Sequence, residues 1–291
     1  MAFILNTQTS IRRGLKHIVR RELWGASESL RRNEGNAVHE ARKSVKNVRA
    51  VVTLLQEIKT DAFEKDTRRL SSAGQTLSVL RDADAVIATF DHLRAHFPKR
   101  LSESTYAIVR QQLVRSRARL IRDPRVRRRL VHVAQSLRAV RRSVKRWPVP
   151  SIPVSEGPAL LTHGYRASRK AMKRAQTSPS PLALHRWRKR VKTLWYQLRV
   201  AHSLTPSLGL EIRRLKQLET WLGELHDLFV LQTTMRDDTG LQRMRADVRT
   251  LVAMSSAVQT ELQRKSFALG GRLLAARPKA FRQRLRRAFS L

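Results

Sequence analysis

The sequence predicts an all-α protein built by internal duplication, and three observations carry that reading. Val38, Ala41, Val45, Val48, Val52 and Leu55 recur at helical spacing, because a residue turns about 100° around a helix axis. The block Val38-His39-Glu40-Ala41-Arg42-Lys43-Ser44-Val45-Lys46-Asn47-Val48-Arg49 returns as Leu184-His185-Arg186-Trp187-Arg188-Lys189-Arg190-Val191-Lys192-Thr193-Leu194-Trp195-Tyr196. No run of alternating β-branched residues is long enough to argue a sheet.

In each block a His is followed by Arg at +3, Lys at +4 and Lys at +7. Those offsets share one helical face, roughly a third of a turn from the apolar stripe. One side can therefore be buried while its neighbour presents cations. A second match follows: Leu77-Ser78-Val79-Leu80-Arg81-Asp82 parallels Leu222-Gly223-Glu224-Leu225-His226-Asp227. His39 to Asp82 is 43 residues and His185 to Asp227 is 42. The same cues in the same order at this separation point to duplicated domains rather than solenoid repeats.

The elements follow in order. A first helix runs from about Ser10 to Leu30, with Ile11, Leu15, Ile18 and Glu22 on one face and Arg12, Arg13, Lys16, Arg20 and Arg21 around it. Asn33 to Asn36, with Gly35, breaks it. The motif helix covers about 37–58. Thr60-Asp61 caps a long third helix ending near His96, before Phe97-Pro98. A fourth starts near Ser102; Asp123-Pro124 interrupts it, Asp as N-cap and Pro as first helical residue, and it resumes to Trp147. Residues 147–158 hold four of the ten prolines, which repeatedly remove helical donors. This divides the chain into a first half (1–147), a linker (148–158), a second half (159–276) and a basic, weakly amphipathic tail (277–291). The second half has one helix over about 159–176, then the echo helix, with Ser180 as cap and Pro181 as first residue. A seventh helix, opened by Thr205-Pro206, ends near Met235; Gly240 separates it from a final helix ending near Gly270-Gly271.

Composition narrows the function. The chain has 60 Lys plus Arg against 22 Asp plus Glu, a formal charge of +38. Self-repulsion at that charge opposes compaction and calls for a polyanionic partner. Arg suits forked contacts to phosphate oxygens. The absence of Cys removes disulfides, thiolate catalysis and Cys-based zinc sites, and fits a reducing compartment. No window approaches about 18 uninterrupted apolar residues, and Met1 to Ser10 is too short and polar for a signal peptide, so a soluble cytoplasmic protein is expected.

Arg42, Lys43, Lys46, Arg49, Arg188, Lys189 and Lys192 are the main phosphate-contact candidates. A merely solvated helix face mixes its charge signs, whereas no acid relieves the second block. His39 and His185, among cations, are expected to titrate low until an anion arrives. Asp82 and Asp227 read as carboxylates that orient an Arg or His, or as structural salt bridges. No metal site is expected. His226-Asp227 resembles the His-Asp pair of metal-dependent phosphohydrolases only superficially, since Arg81-Asp82 stands in the other half and no H-E-x-x-H occurs. With no Walker-type loop and no G-x-S-x-G, the chain is expected not to be an enzyme and to need no cofactor.

The doubled H-x-x-R-K-x-x-K, each followed by a Leu-rich segment ending in R-D or H-D, resembles the CHAD (conserved histidine α-helical domain) family from about residue 10 to about residue 270. The resemblance implies two pseudo-symmetric four-helix bundles with a basic central cleft that binds inorganic polyphosphate. On that reading His39, Arg42, Lys43, Lys46, Arg49, Arg81, His185, Arg188, Lys189, Lys192 and His226 line the cleft. Arg12, Lys16, Arg166, Arg169, Lys170, Lys173 and Tyr196 form a second tier. Trp195 stands where the family usually has Arg, and Ser78 replaces a frequent Gly. Some members carry a triphosphatase domain with an E-x-E-x-K motif; this chain has none and resembles a stand-alone, non-catalytic member, expected at polyphosphate granules. Competing readings are a nucleic-acid-binding protein and a metal-dependent phosphohydrolase. Aromatics at 5% give few platforms for stacking bases, so nucleic acid is expected to bind non-specifically.

Overall fold

The computed structural model describes residues 10–32, 37–56, 63–241 and 244–289. Ten α-helices and no strand occur among them: α1 (Ile11–Arg32), α2 (Ala37–Gln56), α3 (Glu64–His96), α4 (Glu103–Arg122), α5 (Pro124–Ser143), α6 (Gly157–Thr177), α7 (Pro181–Val200), α8 (Gly209–Asp237), α9 (Arg245–Leu273) and α10 (Pro278–Ala288). No helix among the described residues is long and apolar enough to cross a membrane.

The helix starts follow local chemistry. The Ser102 hydroxyl accepts from the Thr105 N–H at 3.1 Å, and the Ser180 hydroxyl from the Ala183 N–H at 3.2 Å, with Pro181 next. The Asp123 carboxylate accepts from the Arg125 N–H at 2.8 Å, with Pro124 as first helical residue. Each cap satisfies a donor that has no partner inside the helix. The Asp123-Pro124 break is complete, giving two helices. Thr205-Pro206 does not open α8 directly: a short 3-10 turn over Pro206–Leu208 intervenes, and α8 starts at Gly209. The expected breaks at Asn33–Asn36 and Thr60-Asp61 lie outside the described residues.

The tail is more than a basic appendage. It forms α10, which packs on α6. Phe281, Leu285 and Phe289 are buried, and the Phe281 ring stacks on Tyr165 with centroids 3.9 Å apart. A Cβ at Gly157 would lie 2.6 Å from the Phe289 ring, so a residue without a side chain is needed where α10 closes over α6.

The packing order of the helices repeats. α1 lies on α2, α2 on α3, α3 on α4, and α5 returns to α1. α6 lies on α7, α7 on α8, α8 on α9, and α10 returns to α6. The two series meet where α2 packs on α7 and α3 on α8. There are two apolar cores. One joins α1, α2, the start of α3 and α5, and takes Tyr196 and Val200 from α7. The other joins α6 to α10 and takes Leu54, Val86, Phe90, Leu93, Val109 and Leu113 from the first series. α3 thus runs out of one core into the other, and α4 packs into the second. These crossovers hold the α2–α7 junction in place.

Candidate functional site

Each motif helix buries its apolar stripe in its own core. Ala41, Val45, Val48 and Val52 of α2 are buried in the first core, and Leu184, Trp187, Val191 and Leu194 of α7 in the second. The neighbouring cation stripes therefore face the junction. A cavity of about 420 Å³ opens there, lined by His39, Arg42, Lys43 and Lys46 of α2, Arg81 of α3, Arg188, Lys192 and Tyr196 of α7, and Lys216, Glu219, Gly223 and Asp227 of α8.

Most cations in this cavity are partly desolvated. Burial, then repulsion from Lys192, Arg42 and Arg188, pulls the Lys46 ammonium down to about 6. Lys46 has no carboxylate within ion-pair distance among the described residues. Its counterpart Lys192 is held down by burial, but the Glu219 carboxylate opposes that. Glu219 is only 3% exposed. It takes an ammonium contact from Lys192, a second from Lys216 at 2.8 Å, and lies 3.9 Å from the Arg188 guanidinium. Burial opposes its ionisation, yet the Lys192 and Lys216 ammoniums win and lower its carboxyl to about 2. Counting back eight residues from Asp227 gives Glu219, and from Asp82 gives Gly74. The acid present in one helix is missing from the other.

Arg42 sits 3.5 Å from Asp82, and the Nε atoms of Arg42 and Arg188 are buried without a hydrogen-bond partner. Gly223 makes room for Arg188: a Cβ there would lie 3.3 Å from the guanidinium. Asp82 and Asp227 both have raised carboxyl pKa values, because burial outweighs the attraction of Arg42 on Asp82 and of Arg188 on Asp227.

The histidines fall into two settings. His39 is exposed at the cavity; partial burial and then Arg81 lower its pKa. His185 and His226, expected at the cleft, are not among the residues that line the cavity; they lie ring to ring, centroids 4.3 Å apart. Burial lowers both to about 4, aided by His226 for His185 and by Arg188 for His226. His185 Nδ1 is buried without a partner. Both rings are neutral at pH 7.

The remaining sequence candidates lie elsewhere. Arg49 and Lys189 line a different cavity, of about 650 Å³, with Lys170, Arg174, Arg186 and Arg190. Arg166, Arg169, Lys170 and Lys173 line a third, of about 530 Å³, along α6, where Arg169 Nε donates to the Leu274 carbonyl at 3.0 Å. Arg12 and Lys16 line none of these three; Lys16 Nζ donates to the Lys145 carbonyl at 3.0 Å. Sequence reasoning missed Glu219 and Lys216. The signal was a ladder on α8, Glu219, Gly223 and Asp227, each four residues apart and therefore on one face. Among the described residues, no three His, Asp or Glu side chains gather so as to hold a metal ion.

Comparison with known proteins places the chain in a family. The family model described as the CHAD domain matches residues 17–236. The crystal structure of the CHAD domain from the plant Ricinus communis shares the fold at a TM-score of 0.65, with 18% identity, covering 95% of this chain and 96% of that one. Among curated proteins, none matches this chain.

Proposed function

This chain belongs to the CHAD domain family, and from that premise we propose that it binds inorganic polyphosphate, without turning it over, in the cavity between α2 and α7. One observation carries the reading: Arg42 and Lys46 from one motif helix and Arg188 and Lys192 from the other line a single cavity. Bringing four cations together under partial burial is unfavourable unless an anion supplies the missing counter-charge. The Lys46 ammonium, which lines the cavity without an ion-pair partner among the described residues, is what such an anion would satisfy. Polyphosphate suits the site because it carries about one negative charge per phosphate and no bases, and the cavity is rich in forked and point cations. The repeated packing order of α1 to α5 and α6 to α10 supports an internal duplication, with the cleft on its pseudo-twofold junction.

The test compares two quadruple variants of equal charge. Replacing Arg42, Lys46, Arg188 and Lys192 by Ala is expected to weaken polyphosphate binding by orders of magnitude and to flatten its salt dependence, as contacts worth roughly 1.5–3 kcal/mol each are lost. The control replaces the exposed Lys279, Arg282, Arg286 and Arg287 of α10. Arg284 is kept, because it lies 3.5 Å from Glu211. Equal losses in both variants would mean diffuse attraction and end the cleft reading. Phosphate release from polyphosphate that disappears on His226→Ala or Asp227→Ala would replace binding by hydrolysis.

A further inference from the structure

We propose that the same cavity continues into a second chamber that accepts the nucleoside end of a nucleoside 5′-polyphosphate; this rests on the phosphate reading above. A chamber of about 290 Å³ lies between α3, α8 and α9. It shares Arg81, Ala85, Glu224 and Asp227 with the phosphate cavity, so the two adjoin along those residues. Its far wall is Ala88, Leu93, Leu228, Val258 and Leu262, with Thr89, His92 and His96 at its side.

The chemistry changes from one cavity to the other. Cations come first, at Arg42, Lys46, Arg188 and Lys192. Carboxylates follow at the shared seam, at Asp227 and Glu224 with Arg81 beside them, and the apolar wall comes last. Inorganic polyphosphate gains nothing from the last two, since carboxylates repel it and an apolar wall offers it no partner. A nucleoside polyphosphate presents phosphates, then ribose hydroxyls, then a planar base. Carboxylates accept hydrogen bonds from a ribose diol, and apolar side chains beside imidazoles suit a base face. Neither Glu224 nor Asp227 makes a hydrogen bond or ion pair among the described residues, despite the surplus of cations around them. Their acceptors are free at the seam where a ribose would lie. The chamber is at the lower limit of ordinary ligand sites, a size for part of a ligand rather than the whole.

The test measures ATP against inorganic tripolyphosphate by calorimetry on the full chain, without divalent metal, at one pH and salt concentration. Tripolyphosphate carries the higher charge, so diffuse attraction favours it. The proposal expects the opposite, ATP binding at least ten-fold tighter, and 2′,3′-dideoxy-ATP about five-fold weaker than ATP. Ala88→Phe, at an exposed position on the chamber wall, should bring ATP down to the tripolyphosphate level and leave tripolyphosphate unchanged. If that variant does not fold, the dideoxy comparison on the native chain decides. Tripolyphosphate binding as tightly as ATP, dideoxy-ATP matching ATP, or Ala88→Phe weakening both ligands equally overturns the inference. If long polyphosphate binds while ATP shows no advantage, the chamber reading falls alone. If long polyphosphate also fails to bind, the phosphate reading falls with it.

Discussion

Polyphosphate binding should take up protons, and Lys46 sets the pH range. In the free protein its ammonium is lowered to about 6, by burial and by Lys192, Arg42 and Arg188. At pH 8 it is therefore mostly neutral. A phosphate chain across the cavity supplies the opposite charge that Lys46 lacks and raises its pKa toward the ordinary value of 10.5. The bound state then holds one more proton than the free state wherever the pH lies between those two values. By linkage, affinity falls as pH rises across that window, approaching ten-fold per pH unit for one proton. The sign is fixed, because the group is raised by binding: its contribution is fully present below the free-state pKa and is lost as pH climbs toward the bound-state pKa. His185 and His226, lowered to about 4, add a second phase only below the usual histidine range.

The assay is calorimetric titration with long-chain polyphosphate at pH 6.5, 7.5 and 8.5 and constant salt, in two buffers of different ionisation enthalpy. Long chains keep the contribution of titrating end groups small. The expected result is an affinity loss approaching a hundred-fold between pH 6.5 and 8.5, with uptake of about one proton at pH 7.5. Lys46→Arg holds its charge throughout and should flatten the profile while keeping tight binding. A flat native profile without proton uptake, or an unchanged slope in Lys46→Arg, would refute the argument that Lys46 is the uncompensated cation.

Glu219→Gln removes the acid that neutralises Lys192 and Lys216; breaking a buried pair costs about 3 kcal/mol, so thermal unfolding should shift down, and added polyphosphate should restore more of the loss than it adds to the native protein. Gly223→Ala places a Cβ 3.3 Å from the Arg188 guanidinium and should weaken binding several-fold in titration, with a change in unfolding free energy no larger than the about 1 kcal/mol preference for Ala over Gly in a helix. Phe281→Ala empties the contact with Tyr165 and should destabilise by about 3–5 kcal/mol in denaturant unfolding. At temperatures where that variant is folded, polyphosphate affinity should be unchanged, because α10 is remote from the cavity lining.

How far the sequence spoke for itself depended on whether a feature is local. The caps at Ser102, Asp123-Pro124 and Ser180-Pro181 were legible because a cap is made within a few residues of itself. The convergence of Arg42, Lys46, Arg188 and Lys192 was legible because spacing alone puts them one stripe away from an apolar face. Lys189 holds the same motif position as Lys43, yet Lys43 lines the junction cavity and Lys189 a different one with residues of α6, so the position within the motif alone did not decide where that lysine points. α10 carried its signal openly, with Phe281, Leu285 and Phe289 at four-residue spacing, but five cations among residues 279–287 masked the stripe.

The Glu219 pairing could not be read from either motif, since it joins α8 to α7 and depends on how those helices pack. Its consequence is the least symmetric feature of the site. Under the proposed duplication, Lys46 and Lys192 hold equivalent places, and Arg42 and Arg188 do as well. One lysine is neutralised from within by Glu219, while the other has no carboxylate within ion-pair distance among the described residues, and the corresponding position on α3 is Gly74, beside Arg49 and Val45. The half with the internal acid keeps its cations charged and the cavity folded in the absence of ligand. The half without it holds a lysine that becomes fully charged only when an anion arrives.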